Sequence, residues 1–371
     1  MVFAKIAQDP FVDFNGVVGQ WLIQLSFVIV FSLILFTCLF LLRLAVNSSN
    51  RKLKIALVLF AMLISSAAIS QIRFQSDDET ILAFFAYHSL MSGQNPYVQN
   101  YTSQLVPALS VVREGATYYQ NGSPVANYGY PALYLLVQMP FFALFNPTAI
   151  TVENLVMPTE YAVFFAFFLL VCYQLTKEKN NQLPVYSAII LASIVFLVFS
   201  STIILLMLSL ILLMFTNIGK KYSWLVLGLM VSLQQELWIL ALMFIAYELW
   251  HYDVDKSVRT AFGALIVFLL INGYFIALNP AAFFGSFLSV SSLAPNNIAP
   301  IAAILMILNV PLWIISILFI LISIVLIILA GVHLEYKWIP LLSAVPYLLL
   351  SHTIPVYFIL PFAAYGMIQD G

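Results

Sequence analysis

The chain has 371 residues, of which 63% are hydrophobic and only 8% are charged, and its formal net charge is −1. Soluble domains carry about 25% charged residues, so this composition excludes an ordinary water-soluble fold and predicts that the lipid bilayer is the main solvent. The chain also lacks a polybasic tract, which excludes nucleic acid as an expected partner.

Apolar runs dominate the chain, and most of them reach or exceed the roughly 20 residues that a helix needs to cross the hydrocarbon core. They are uniformly apolar and do not alternate with polar residues, which favours helices over a β-barrel. The first run is longer than a signal-peptide core, and we expect it to be retained as a span. The runs lie near residues 20–43, 55–72, 158–175, 185–217, 223–250, 260–278, 312–332 and 338–368.

Lysine and arginine residues occur in short clusters between these runs, and such clusters normally face the cytoplasm. Placing every cluster inside requires an even number of spans between them, which fails if residues 131–147 and 299–311 both cross the membrane. Proline flanks or interrupts both segments, so we predict re-entrant or interfacial helices there. The clusters are Arg43 with Arg51, Lys52 and Lys54, then Lys177 with Lys179, Lys220 with Lys221, Lys256 with Arg259, and Lys337.

These patterns predict an all-α, polytopic transmembrane fold with about eleven spans. We expect one transmembrane domain over residues 1–371, with a large extracytoplasmic loop at 73–159 that contains interfacial helices. A second outer loop is expected at 279–298. The predicted location is a cell membrane, and the outer loops would form the active face.

The large loop begins with three consecutive carboxylates, Asp77, Asp78 and Glu79. The apolar stretch Thr80–Met91 is too short to span and is followed by Gly93, which predicts a helix along the membrane surface. One interpretation is that the carboxylates only cap this helix and favour its dipole. The other is that a carboxylate at an apolar interface acts as a general base.

Two aromatic motifs follow in this loop: Gly-Gln-Asn-Pro-Tyr at 93–97, and Tyr-Gly-Tyr-Pro at 128–131 with Tyr134 one turn later. By composition, both are turns with interfacial tyrosines. An acidic pair, a short helix, Gly-x-Asn-Pro-Tyr and Tyr-Pro-x-Leu-Tyr, in this order, resemble the GT-C membrane glycosyltransferases. Within that superfamily, the chain most resembles polyprenyl-phosphate-sugar mannosyltransferase-like proteins of bacteria and archaea. The resemblance is confined to Asp77–Tyr134.

The resemblance implies a GT-C-like fold and transfer of a mannose-like hexose from a polyprenyl-phosphate donor to a glycan or lipid-linked acceptor, with inversion. The aspartate that acts as the base in this family matches Asp78, or Asp77 if the register shifts by one, and Glu79 is its acidic neighbour. A phosphate leaves as an anion, so no general acid is needed. Membrane lipids would surround the polyprenyl tail.

Further binding residues follow from the same interpretation. We expect Asn95, Tyr97, Tyr128 and Tyr130 to border the sugar, although such tyrosines also serve as membrane-interface anchors. The cations that would stabilise the departing phosphate are Arg73, Arg113 and His352. No cofactor is predicted firmly, and a divalent cation at the carboxylates is left open.

Gln234, Gln235 and Glu236 interrupt the apolar run 223–250, and polar groups within a membrane favour a functional site. The basic clusters on both sides also predict an outward turn here, so Gln235 and Glu236 are candidate substrate ligands. Proteins that resemble this chain tend to have Ser-x-Lys-Gln in such a span, whereas Gln234 occupies the lysine position and cannot pair with phosphate. The alternatives are a transporter or lipid flippase with its polar site at this turn, and a scaffold without activity.

Overall fold

The computed structural model describes residues 37–69 with some gaps, 78–112, 117–148 except 120, 152–179, 203–252, 254–288 and 300–349, together with 361, 364 and 365. Within these ranges the chain is helical and contains no β-strand. An isolated antiparallel bridge joins Tyr118 to Pro124. The prediction of an all-α fold is therefore confirmed for the described residues.

The α-helices follow one another with short connections wherever both neighbours are described. Short 3-10 turns cover Pro96–Val98, Tyr336–Trp338 and Pro346–Leu349, and a π-helical turn covers Val152–Val156. The α-helices are α1 (Arg51–Ile69), α2 (Asp78–Met91), α3 (Thr102–Val112), α4 (Ala132–Phe145), α5 (Met157–Lys179), α6 (Ile203–Leu213), α7 (Asn217–Lys221), α8 (Ser223–Leu233), α9 (Leu237–His251), α10 (Val254–Leu278), α11 (Pro280–Leu288), α12 (Pro300–Ile307), α13 (Leu312–Val332) and α14 (Ile339–Ser343).

Three of the described helices are long and apolar enough to cross a membrane: Met157–Leu175 within α5, Val254–Leu278, which is α10, and Trp313–Val332 within α13. Large apolar side chains on α10 and α13 are exposed, for example Leu270 at 79% and Ile328 at 56%. Exposure of this kind is typical of surfaces that face lipid. These helices support a membrane protein, whereas the expected eleven spans and the GT-C fold are not confirmed.

The segments 131–147 and 299–311, which we predicted not to cross the membrane, form short helices. Helix α4 has 14 residues and contains Pro140, and α12 has 8 residues and begins at Pro300. At 1.5 Å per residue, neither can cross a hydrocarbon core of about 30 Å. Whether α4 and α12 are re-entrant or interfacial stays a prediction.

Helices α8 and α10 form a close pair around Gly228. A methyl group on Gly228 would lie 2.5 Å from Cβ of Val267 and 2.9 Å from the Ala264 carbonyl oxygen. Such distances are too short for any side chain, so glycine allows the two backbones to approach. Farther along the same pair of helices, Asn272 of α10 donates to Ser232 of α8, close to the candidate site.

The apolar run 223–250 divides into α8 and α9 at residues 234–236, as the charge pattern predicts. Because α9 returns antiparallel to α8, Lys220 and Lys256 lie at one end of the pair and the break lies at the other. Lys220 stands 5.6 Å over the Tyr336 ring, and Glu178 accepts a 2.7 Å hydrogen bond from the Asn217 N–H at this same end. The basic residues of these loops are thus gathered together, while the side of the membrane that they face stays a prediction.

Candidate functional site

Two of the three consecutive carboxylates, Asp78 and Glu79, form what we call the acidic pair, and they lie in the first turn of α2. Asp78 is the first residue of the helix and is buried, and its Oδ2 accepts a 2.7 Å hydrogen bond from the Thr117 backbone N–H. Glu79 is half-buried, and its Oε2 accepts from the Tyr134 hydroxyl over 3.4 Å. Both carboxylates also favour the positive end of the helix dipole. Asp78 therefore binds a distant loop as well as stabilising its own helix.

The loop that Asp78 binds is a small hairpin at residues 117–125. Val125 N donates to the Thr117 carbonyl at 2.7 Å, and Tyr119 N donates to the Ser123 carbonyl at 2.8 Å. The Thr117 carbonyl thus accepts a hydrogen bond within the hairpin, while the Thr117 N–H donates to the Asp78 carboxylate. Since Oδ2 of Asp78 is engaged in this way, Oδ1 is the oxygen that could accept a proton.

The Asn-Pro-Tyr motif forms a 3-10 turn that directs one tyrosine into the protein. Asn95 Oδ1 accepts from the Tyr97 backbone N–H at 3.0 Å and so closes the turn. The Tyr97 hydroxyl donates to the Tyr130 carbonyl at 2.8 Å, and its ring lies 4.9 Å from that of Phe283. Tyr97 is only 3% exposed. This side chain therefore positions the second aromatic motif and does not itself border an open surface.

The second aromatic motif completes a tyrosine cluster, which consists of Tyr97, Tyr128, Tyr130 and Tyr134. The rings of Tyr130 and Tyr134 are stacked, with centroids 4.5 Å apart and an interplanar angle of 20°. Tyr128 is fully buried, while Tyr130 is half-buried and accessible to a ligand. Through these contacts the acidic pair, the Asn-Pro-Tyr turn and the Tyr-Gly-Tyr-Pro motif converge, although Glu79 and Tyr134, which form one of the contacts, are 55 residues apart.

Burial keeps phenols in and beside this cluster neutral. Burial raises the pKa of Tyr97 well above its ordinary value of 10. Burial also raises the pKa of Tyr101 to about 12, although a hydrogen bond to Ser89 acts in the opposite direction. These tyrosines act as hydrogen-bond donors and apolar surface, because they carry no charge at physiological pH.

Asn272, in the last third of α10, joins three elements at the same place. Its Oδ1 accepts from the Ala132 backbone N–H at 2.8 Å, and its Nδ2 donates to Ser232 Oγ at 3.2 Å and to the Phe268 carbonyl at 3.0 Å. Ala132 begins α4, where Pro131 offers no side-chain cap, so Asn272 caps this helix from another one. The sequence prediction missed Asn272, although a lone amide in an apolar run is a signal of its role.

Residues 234–236 form what we call the glutamine turn, between α8 and α9. Gln234 is 7% exposed, and the Oε1 atoms of Gln234 and Gln235 are both buried without a hydrogen-bond partner among the described residues. The Glu236 carbonyl accepts a 2.6 Å hydrogen bond from the Tyr347 hydroxyl, and Trp238 Nε1 donates to the Val231 carbonyl. The backbone of the turn is therefore held firmly, while two of its side-chain oxygens stay available.

The glutamine turn and the tyrosine cluster are adjacent. Ser232, which binds Asn272, precedes Gln234 by two residues, and Asn272 binds the residue that follows Pro131. A second connection runs through Phe287 of α11, whose ring lies 5.6 Å from Trp238 and 6.5 Å from Tyr97. The candidate residues of the two competing sequence interpretations thus belong to one end of the helix bundle.

Several predicted site residues lie outside the described residues, namely Arg73, Asp77, Arg113 and His352. Their distances from Asp78 are therefore not described, and their roles stay predictions. Among the described residues, no group of three His, Cys, Asp or Glu side chains could hold a metal ion. A divalent cation at the carboxylates stays a prediction.

Comparison with protein-family models, with curated proteins and with solved structures gave no match. The function of this site is therefore argued from its own residues and their chemistry.

Proposed function

We propose that this protein is a membrane hexosyltransferase, which moves a mannose-like hexose from a polyprenyl-phosphate donor to a glycan or lipid-linked acceptor on the extracytoplasmic side. The observation that carries the proposal is the convergence of Asp78, Glu79 and Tyr130 at one end of the bundle. A buried carboxylate with one engaged oxygen, beside half-buried polar and aromatic groups, suits the deprotonation of a sugar hydroxyl.

The proposed reaction is an in-line displacement at the anomeric carbon of the donor. The acceptor oxygen forms the new glycosidic bond, Oδ1 of Asp78 takes the hydroxyl proton, and the bond between the anomeric carbon and the phosphate oxygen breaks. The phosphate departs with the electron pair as an anion and needs no protonation. The configuration at the anomeric carbon is thereby inverted.

The surrounding groups have separate parts in this proposal. Tyr130 and Asn95 are half-buried and border the sugar, whereas Tyr97 and Tyr128 act as positioning residues because they are buried. The cations proposed for the phosphate are Arg73, Arg113 and His352, which the sequence alone suggests.

The test must separate the base function of Asp78 from its anchoring of the 117–125 hairpin. Asp78→Asn retains an oxygen that accepts from Thr117 N–H and removes only the base, so we expect hexose transfer to fall at least about 100-fold with unchanged thermal stability. Asp78→Ala removes both functions and is expected to lower stability as well. Transfer is measured from radiolabelled polyprenyl-phosphate mannose in membranes with matched expression.

Asp255→Asn is the matched control, because this exposed carboxylate lies at the basic end of the bundle. Asp77→Asn tests the register shifted by one residue. Full activity of both Asp78→Asn and Asp77→Asn would show that these carboxylates only stabilise the fold.

The buried, unpartnered amide oxygens of the glutamine turn favour a second candidate function, a transporter or flippase for a polar lipid. In that case the native chain would move a lipid-linked sugar across a vesicle membrane without forming a glycosidic bond. A flipping assay on reconstituted vesicles, run beside the transfer assay, distinguishes the two.

A further inference from the structure

The glutamine turn has no cationic side chain, and the unsatisfied buried amide atoms of its glutamines are hydrogen-bond acceptors. The two buried Oε1 atoms of Gln234 and Gln235 lack partners among the described residues, and the Glu236 carboxylate follows directly. A buried amide oxygen without a partner costs about 1–3 kcal/mol, so a stable fold that keeps two of them side by side is unusual. A ligand that donates hydrogen bonds would remove this cost.

The acceptor character of the turn limits which ligand can bind. The Nε2 groups of both glutamines could donate to a phosphate, but a phosphate diester has no donor for the two buried Oε1 atoms, and the Glu236 carboxylate would repel it. A sugar offers several O–H donors on a compact ring. The apolar side chains around the break, with Trp238 as the second residue of α9, suit the C–H face of such a ring.

The position of the turn agrees with this ligand. Asn272 and Phe287 connect it to the tyrosine cluster, so a sugar on the turn would lie beside the acidic pair's end of the bundle. The turn is also fixed from behind by the Tyr347 hydroxyl, which holds the Glu236 carbonyl at 2.6 Å. A binding element held this firmly keeps its acceptors in place before the ligand arrives.

We propose that the glutamine turn binds the hydroxyl groups of a sugar, through the amide oxygens of Gln234 and Gln235, and does not bind the lipid phosphate. This inference rests on the proposed function for the source of the sugar, which is either the hexose of the donor or the saccharide of the acceptor. Its chemistry is the same in both cases. The experiment below identifies the source.

Equilibrium binding is measured without turnover, on the full chain in lipid nanodiscs, with three probes. Polyprenyl-phosphate mannose carries sugar and phosphate, polyprenyl phosphate carries phosphate alone, and octyl mannoside carries sugar alone. Gln234→Met and Gln235→Met keep the side-chain volume and remove the oxygen. Gln174→Met, at the basic end where its amide donates to Glu178, is the control.

We expect each turn variant to weaken a sugar-bearing probe about tenfold, and to leave the affinity for polyprenyl phosphate unchanged. Loss confined to polyprenyl-phosphate mannose assigns the turn to the donor sugar, and loss confined to octyl mannoside assigns it to the acceptor. Equal loss for all three probes, or no loss for any, would overturn the proposal. Gln174→Met should bind all three as the native chain does.

The failure of this inference is separate from failure of the proposed function. A chain that binds sugar through the turn but transfers no hexose would exclude the transferase and retain the sugar site. A chain that transfers hexose with unchanged affinity in both turn variants would retain the transferase and exclude the sugar site.

Discussion

The tyrosine cluster and the glutamine turn lie next to each other, yet they differ in how most of their buried polar groups are paired. In the cluster, the hydroxyls of Tyr97 and Tyr134 donate to named oxygens of the protein. In the turn, the Oε1 atoms of Gln234 and Gln235 are buried without partners among the described residues. The Tyr128 hydroxyl is also buried without a hydrogen-bond partner among the described residues, so the contrast is between Tyr97 and Tyr134, which the protein's own oxygens satisfy, and the Oε1 atoms of the two glutamines, which no described residue satisfies.

The difference indicates that the tyrosine cluster mainly supports the site and that the glutamine turn binds the ligand. Water is scarce in an apolar helix bundle, so a polar atom there must find a protein partner, find a ligand or reduce stability. In the cluster, the hydroxyls of Tyr97 and Tyr134 hold loops and helix ends together. The turn retains acceptors at a cost in stability, which is the pattern expected where function competes with folding.

The largest effect is expected at Asn272, which connects the two regions. Asn272→Leu leaves the Ala132 N–H buried without its acceptor and deprives Ser232 of its donor, so we expect the free energy of unfolding to fall by about 3 kcal/mol. Unfolding is measured in mixed micelles by titration with denaturing detergent. A loss this large would show that the Asn272 side chain holds the tyrosine cluster and the glutamine turn in their relative positions.

A matched control exists at the opposite end of the same two helices. There Ser223 Oγ and Thr260 Oγ1 form a single hydrogen bond of 3.3 Å between α8 and α10. Thr260→Val should cost well under half as much as Asn272→Leu, because it breaks one long contact and uncaps no helix. If the two variants were equally unstable, the special position of Asn272 would be refuted.

The second effect has the opposite sign, at the glutamine turn. Gln234→Met removes a buried oxygen that has no partner among the described residues and keeps the volume of the side chain. We therefore expect the free energy of unfolding to rise by about 2 kcal/mol in the absence of ligand. The measurement is the same detergent titration. A decrease would mean that this amide already contributes to the fold, and the contrast between the two regions would be lost.

The sequence was informative wherever a local pattern decides the structure. The apolar stretch Thr80–Met91 predicted a helix before Gly93, and the helix begins two residues earlier, at Asp78. Gly93 adopts a φ of +76°, which favours glycine at a helix end. The charge clusters likewise predicted the break between α8 and α9.

Hydropathy was less informative about what covers an apolar surface. The run 338–368 is predicted to contain a span, and most of it lies outside the described residues; its described start, 338–349, holds the short helix α14 and a 3-10 turn starting at Pro346, which has no N–H for a continuing helix. That helix α2 lies along the membrane surface stays a prediction, and what covers its apolar side chains Ile81 and Ala83 is protein. Lipid and protein are equally apolar covers, so composition does not separate them.

The members of the site were predicted better than their contacts. Asp78, Tyr130 and the glutamine turn were identified from motifs and from polar interruptions of apolar runs. Thr117 and Tyr347 were not, because each contributes through a backbone N–H or a hydroxyl aimed across the fold. Such contacts join residues far apart in the chain, and no local pattern reports them.

The smallest effect is expected within the tyrosine cluster. Tyr97→Phe keeps the ring among Phe275 and Phe283 and removes only the hydroxyl that donates to the Tyr130 carbonyl at 2.8 Å. We expect the free energy of unfolding to fall by about 1 kcal/mol, the net value of one hydrogen bond. Tyr118→Phe is the control, because Tyr118 is 49% exposed and its pairing with Pro124 uses only the backbone.

The same variant tests whether Tyr97 positions Tyr130 or contacts substrate itself. A positioning residue that loses one hydrogen bond should change hexose transfer only modestly, with kcat and KM shifting together as Tyr130 becomes less well held. A residue that bound the sugar directly would instead raise KM alone, by about tenfold. Because the Tyr97 ring is almost fully buried by aromatic neighbours, we expect the first result, which would place ligand contact with Tyr130 and the glutamine turn and leave Tyr97 as the support beneath them.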